Sequence, residues 1–307
     1  MTVAATAAPA TTTRGAGKPS RRRSAVWLGL TPFAIYVILF LGIPAVLAVG
    51  SGFFDSTGKF TLANFSAVTD PSFQADFANT ILLSAVTAVI GAIVGALICF
   101  ALLGTKPDGF LRTVIDSASS VLAQFGGVML AFAFIATIGA QGVITQLLVQ
   151  AGLTQNIFND FNNHSVLLYQ PWQGLVIPYL YFQIPLMVIV FMPAIAGLKA
   201  TWGEANATLG GTSFTYWTRI AFPILTPAFF GSLILLFANS FSSYATAAAL
   251  ISQGGLTSLD IKTSLVSETV IGKANQAGIL ALAMIVVMVI VMSAYSALER
   301  RASRWRR

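Results

Sequence analysis

Charge is what this sequence has least of: Asp, Glu, Lys and Arg make up 9% of its 307 residues, against about 25% in an ordinary soluble domain. With 56% hydrophobic residues and a mean hydropathy of +0.80, there is too little polar material to enclose the chain in water. A soluble globule is excluded, and so is intrinsic disorder. Cysteine occurs once, as Cys99, and histidine once, as His164. One thiol cannot form an internal bridge, and one imidazole leaves too few groups for the usual zinc sites or for Ser/His/Asp chemistry. No metal, no cofactor and no catalytic residue are therefore expected on the chain. The formal net charge of +7 raises nucleic acid as a partner. However, the basic residues stand beside apolar runs and do not alternate with aromatics on one face, which reads as membrane topology.

What the sequence does have is six apolar runs, near residues 26–53, 78–103, 114–138, 174–198, 224–250 and 277–298. Each supplies the roughly 20 residues that a bilayer core demands of a helix. The expected fold is an all-α integral membrane protein with six transmembrane helices. Residues 1–24, rich in Ala, Thr, Pro and Gly, lack apolar periodicity and are expected to be a disordered basic tail. The run Arg21, Arg22, Arg23 precedes an apolar stretch longer than the roughly 7–15 residues of an export signal, so a retained anchor is expected. The layout is then a tail at 1–24, a first helix and outer segment at 25–76, a five-helix core at 77–298 containing a loop at 199–223, and a basic tail at 299–307.

Every Lys and Arg except Lys59, Lys262 and Lys273 falls on one side of these spans. By the positive-inside rule that side is cytoplasmic and holds both termini. The other side carries Asp55, Asp70, Asp76, Asp160, Asp260 and Glu268. Its connections are expected to hold short interfacial helices, one of them across Gly142 to Gly152, with Tyr169 and Trp172 where aromatic belts form.

Ionisable groups are nearly missing from the spans. The exception, Asp116, stands four residues after Arg112, where an ion pair near the cytoplasmic end is expected. Ion-coupled carriers usually hold ionisable residues at mid-membrane, so a chain without them draws energy from elsewhere or is a passive pore. In the second span, Ser84, Ala88, Ala92 and Ala96 form a small-residue stripe, and Gly91 with Gly95 a GxxxG pair, both suited to close helix packing. Pro178, Pro185 and Pro193 predict a kinked or locally unwound fourth span. The fifth gathers Asn239, Ser240, Ser242, Ser243, Tyr244 and Thr246. On one helix Asn239, Ser243 and Thr246 would share a face that either bonds neighbouring helices or lines a water-filled route, with Tyr179, Gln183 and Gln124 as companions.

Between the fourth and fifth spans the apolar pattern gives way to a helix, turn, helix segment. Glu204 is placed in the opening turn of a short helix, at the positive end of its dipole. Gly210 and Gly211 stop that helix, and a second one with Trp217 and Ile220 ends before Pro223. Here Glu204-Ala205-Asn206, three residues, Gly210, nine residues, Ile220, one residue and Phe222-Pro223 resemble the EAA loop, EAA-x3-G-x9-I-x-LP, of permease subunits in binding-protein-dependent type I ABC importers. Asn206 and Phe222 depart from the pattern mildly. Asn79-Thr80, after Asn64 and Asp70-Pro71, is similar to the family's lead into its core.

The resemblance implies a permease that forms half of a translocation pathway in the plasma membrane of a prokaryote. It implies as partners a second permease, commonly a paralogue, two ATPase subunits and an extracytoplasmic solute-binding protein. ATPase coupling would involve Glu204, Ala205, Asn206, Ala207, Leu209, Gly210, Ile220 and Pro223. ATP and Mg would belong to the ATPases, since this chain has no Gly-x4-Gly-Lys-Ser/Thr phosphate loop. The stretch Phe237-Ala238-Asn239-Ser240-Phe241 with Ser243-Tyr244-Ala245-Thr246 is similar to permeases for polyamines, ferric iron, thiamine or phosphonates. A sugar permease is the alternative, and an ion-coupled carrier, a channel or a membrane-bound enzyme are more distant ones.

Overall fold

The computed structural model describes residues 30–106, 109–139, 141–152, 159–160, 165–166, 172–251, 255–266 and 273–304. The expected N-terminal tail, His164, Tyr169 and Glu268 lie outside them. The chain divides into two compact units, Met1–Ala48 and Val49–Arg307. Helix α1 (Leu30–Ser51) begins in the first and contains a π-turn at Ile38–Gly42.

The second unit continues with a 3-10 turn at Ala63–Thr69, then α2 (Pro71–Leu102), α3 (Phe110–Gln124), α4 (Val128–Ile138) and α5 (Val143–Gln150). After two-residue antiparallel strands, β1 (Asn159–Asp160) and β2 (Ser165–Val166), come α6 (Val176–Ala196) and α7 (Ala200–Thr208). Helix α8 (Ser213–Phe241) contains a second π-turn, and α9 (Ala245–Leu250), α10 (Thr257–Val266) and α11 (Lys273–Arg304) complete the order. Six stretches are long and apolar enough to cross a membrane: α1, α2, the α4–α5 stretch Val128–Gln150, α6, α8 and Lys273–Ala297 of α11. The expected all-α membrane fold is present, with the four strand residues as a minor addition. Short helices stand in the connections, α10 among them, whereas α5, expected as an interfacial helix, falls inside the apolar stretch Val128–Gln150.

Three expectations need correction. The helix expected over 114–138 is broken: α3 ends at Gln124, and Gly127 lies at φ 78°, ψ −147°, a conformation open essentially to glycine alone. The fifth span stops at Phe241 and does not run to 250, because the polar Ser242-Ser243-Tyr244 interrupts it before α9. The fourth span, expected to be kinked or locally unwound, is not unwound. Pro178 sits in the first turn of α6, where its missing N–H costs nothing, and Pro185 and Pro193 are held inside a continuous helix.

Two separate apolar cores run through the second unit. One gathers Leu83, Leu130, Ala131, Leu175, Tyr179, Phe182, Ala247, Leu250, Ile251, Leu256 and Leu259. The other gathers Ala88, Ala92, Cys99, Leu102, Met187, Val188, Phe191, Met192, Ile195, Leu225 and Leu236. Helices α2 and α6 pass through both. Helices α4 and α9 belong to the first core and α8 to the second, which is the core nearer α7. Close approach of α2 to α6 depends on the small residues of α2: a Cβ on Gly91 would lie 3.1 Å from Gln183 Cβ, and one on Gly95 would lie 2.5 Å from Met187 Cβ.

At the end away from α7, α10 is fastened to α2. Thr80 Oγ1 accepts from the Thr257 amide at 3.0 Å, and Asp76 Oδ2 accepts from the Gly255 amide at 3.0 Å. Asp260, in the first turn of α10, has a buried Oδ2 without a hydrogen-bond partner. Its burial, with the Asp76 carboxylate beside it, pushes its pKa up to about 7.

Candidate functional site

Helix α7 begins at Ala200 with Lys199 as N-cap, so Glu204 occupies its second turn and not the opening one as expected. The dipole argument for Glu204 therefore lapses, since the helix field is felt in the first turn. What marks Glu204 is exposure, which it shares with Ala205, Ala207, Thr208, Leu209 and Gly210. Leu209 is 88% exposed, an apolar side chain standing clear of its own chain.

The end of α7 is built as expected and then reinforced. Gly210 takes φ 75°, its amide bonds Ala207 O at 3.0 Å and the Gly211 amide bonds Asn206 O at 2.8 Å, which stops the helix at the glycine pair. Asn206 Nδ2 also donates to Thr212 O at 3.1 Å. A Cβ on Gly211 would collide with the Asn206 side chain. The departure from alanine at 206 thus gives this turn a side-chain brace. Thr212 then caps α8, accepting from the Thr215 amide at 3.3 Å.

The second helix does not end before Pro223 but continues as α8, through the π-turn Trp217–Ala221, in which the Phe222 amide bonds Trp217 O. A proline ring clashes with the carbonyl four residues earlier in regular α geometry. The wide turn just upstream of Pro223 relieves that clash and lets the helix run on. Ile220 and Ile224 face Trp202, Ala205, Asn206 and Leu209 across a groove of about 320 Å³. Trp217 packs edge-on to Phe100 of α2 at 4.9 Å between ring centroids, which fixes this loop to the core nearer α7. Lys199 Nζ lies 6.0 Å from the Trp202 ring.

The polar residues expected along a route fall into two sets. Tyr179, Gln183, Ser240 and Thr246 are buried and tie helices together. Tyr179 donates from its hydroxyl to Ser243 O at 3.0 Å, and Gln183 Nε2 donates to Leu236 O at 2.8 Å. The Ser240 and Thr87 hydroxyls lie 3.0 Å apart, and Thr246 Oγ1 accepts from the Gly127 amide at 2.9 Å. By contrast Asn239, Tyr244 and Gln124 are exposed and Ser243 is half-buried. The single face through Asn239, Ser243 and Thr246 does not exist, because the helix stops between them. Sequence reasoning did not foresee Thr87 or Gly127 as partners. The Gly126-Gly127 pair inside an apolar run was the available signal.

Asp116 pairs with Arg112 at 3.7 Å, as the spacing predicts. Among the described residues no three His, Cys, Asp or Glu side chains are grouped so as to hold a metal ion.

Residues 161–304 match the family described as binding-protein-dependent transport system inner membrane component. A probable sulfate transport system permease protein, cysT, of Helicosporidium sp. subsp. Simulium jonesii is 22% identical over 222 residues, covering 72% of this chain and 75% of that protein. A probable ABC transporter permease protein, y4fN, of Sinorhizobium fredii is 24% identical over 275 residues, covering 88% of this chain and 45% of that protein. Among solved structures, a bacterial alginate ABC transporter in complex with an alginate pentasaccharide-bound periplasmic protein aligns with a TM-score of 0.68 at 17% identity, over 92% of this chain and 96% of that one. The methionine ABC transporter MetNI, inward facing, aligns with a TM-score of 0.56 at 12% identity, over 75% and 96%.

Proposed function

We propose that the chain is a permease subunit of the binding-protein-dependent ABC importers and that it forms one half of an ATP-driven path for a small polar solute. A separate ATPase subunit grips α7, hydrolyses ATP with Mg and moves the permease between states open to either side. The observation that carries this reading is the exposed, glycine-stopped helix from Glu204 to Gly210, with Leu209 offered to a partner. An exposed apolar side chain, Leu209, near an exposed carboxylate, Glu204, suits a helix entering a cleft. A second permease, a paralogue or a copy, completes the path. An extracytoplasmic binding protein delivers the solute, a reading supported by the alginate transporter's structure in complex with an alginate pentasaccharide-bound periplasmic protein.

We assign the solute to the oxyanions, with sulfate as the type. The relatives named as sulfate permeases support this, and so does the charge along the candidate path. No carboxylate stands on α8 or α9, where a polycation such as a polyamine would need neutralisation on leaving water. The cytoplasmic placement of both termini and of α7 rests on the distribution of Lys and Arg.

Reconstitution with the ATPase and binding protein tests the assignment: uptake requires all of them and ATP, and ATP-independent uptake overturns it. Glu204→Ala is expected to lower substrate-stimulated ATP hydrolysis at least tenfold with expression unchanged, and Gly210→Val to weaken ATPase attachment. Normal hydrolysis in both variants removes the role given to α7.

A further inference from the structure

The two interruptions in the helices, at 125–127 and at 242–244, lie where the two apolar cores meet. On one side α8 is fixed by Gln183 Nε2 on Leu236 O and by the Thr87–Ser240 hydroxyl pair. On the other side α4 and α9 place Leu130, Ala131, Ala247 and Leu250 in the core away from α7. At each interruption the backbone bonds run back into the preceding helix, from the Phe125 and Gly126 amides to α3 and from the Ser242 and Ser243 amides to α8, and a junction not bridged by helical hydrogen bonds opens more readily than the helices flanking it. The interruptions are also joined to one another. Thr246 Oγ1 accepts from the Gly127 amide at 2.9 Å and faces Gly127 O at 3.3 Å. A Cβ on Gly127 would stand 3.5 Å from Ala245 Cβ.

Resting on the importer reading above, we propose that the interruptions are paired hinges and that the Thr246–Gly127 staple makes α4 and α9 move as one body against the core nearer α7. Thr246 is then a positioning residue of the transport cycle, acting through Gly127. Helices α2 and α6 stay continuous through both cores and supply the axis, since a hinge needs some elements that bend little and others that break. Because packed cores are bistable and not continuously deformable, a displacement at the α7 end reaches the far half as a step between two arrangements. A staple that failed would let α4 and α9 step separately.

The test uses the complete transporter purified with its partner subunits, with spin labels at exposed positions. In the unaltered staple, the distance between labels at Phe110 of α3 and Phe132 of α4 is expected to change between nucleotide-free and ATP-trapped states. The distance from Phe132 to Ala245, the exposed first residue of α9, is expected to stay fixed. Thr246→Val removes the hydroxyl with little change in volume. It is expected to broaden the Phe132–Ala245 distribution and to lower solute moved per ATP at least tenfold. Thr246→Ser restores both, which a loss of packing alone would not allow. An unchanged Phe110–Phe132 distance in the two states overturns the hinge, and a Thr246→Val transporter with normal distances and normal transport per ATP overturns the staple. If the unaltered transporter shows no ATP-dependent uptake at all, the importer reading fails instead, and the distances still decide the hinge.

Discussion

Gln183 is fully buried, with Nε2 bonded to Leu236 O and Oε1 without a partner. A buried oxygen left unpaired costs about 1–3 kcal/mol, comparable to what the one bond of its amide contributes. Gln183→Met, which discards both, is therefore expected to leave stability within about 1 kcal/mol, read as the melting temperature in detergent. Among the described residues Asp260 Oδ2 is the other buried side-chain oxygen without a hydrogen-bond partner. Its pKa of about 7 exceeds the ordinary 3.8, so the folded state holds a proton that the unfolded chain gives up. The stabilisation from that proton is complete below about pH 4 and is lost as pH rises through about 7. Asp260→Asn cannot titrate, so it should flatten the fall in melting temperature between pH 5 and 8 and exceed the unaltered protein at the upper end. An equal slope in both proteins would show that the carboxyl is not desolvated.

At the scale of elements, two glycines separate packing from propensity. A Cβ on Gly95 would meet Met187 Cβ at 2.5 Å and Ile184 O at 3.0 Å, atoms too near the α6 backbone to swing aside, whereas one on Gly203 meets nothing within 4 Å. Gly95→Ala should force α2 and α6 apart at a cost of about 1–3 kcal/mol. Gly203→Ala should strengthen α7 by about 0.5–1 kcal/mol. Thermal unfolding of the two variants side by side checks both signs. The same contrast explains what could be read in advance. Apolar runs announced the spans because nothing else in a sequence is so long and uniform. The break at Gly126-Gly127 escaped because its flanks are as apolar as a continuous helix, and the end of α8 at Phe241 escaped because Ser242 and Ser243 also suit a polar helix face. Pro178, Pro185 and Pro193 pointed to a kink or an unwinding, and the helix runs unbroken through all three. At the α7 loop, the glycine stop was legible and the first turn was not, because no capping side chain marks Lys199.

At the scale of the whole molecule, exposed apolar surface decides how the chain exists. Phe110 is 86% exposed, and Leu111, Val121, Met129 and Phe132 are exposed with it, which suits lipid or a second permease and not water. Binding a partner that favours the folded chain stabilises it by mass action. The chain purified alone is expected to melt at a lower temperature than the same chain purified with the permease and ATPases proposed as its partners, in one detergent at one concentration. Equal melting temperatures would mean that these faces meet lipid only.

The π-turn at Trp217–Ala221 sets a limit on that assembly. Regular helix on either side of it behaves as a stiff rod, while the turn, one residue too many and followed by a proline that donates nothing, is a soft collar on the rod. On the proposed coupling, part of any displacement imposed on the loop below is taken up in this collar. The far end of the shaft therefore travels less than the loop that drives it.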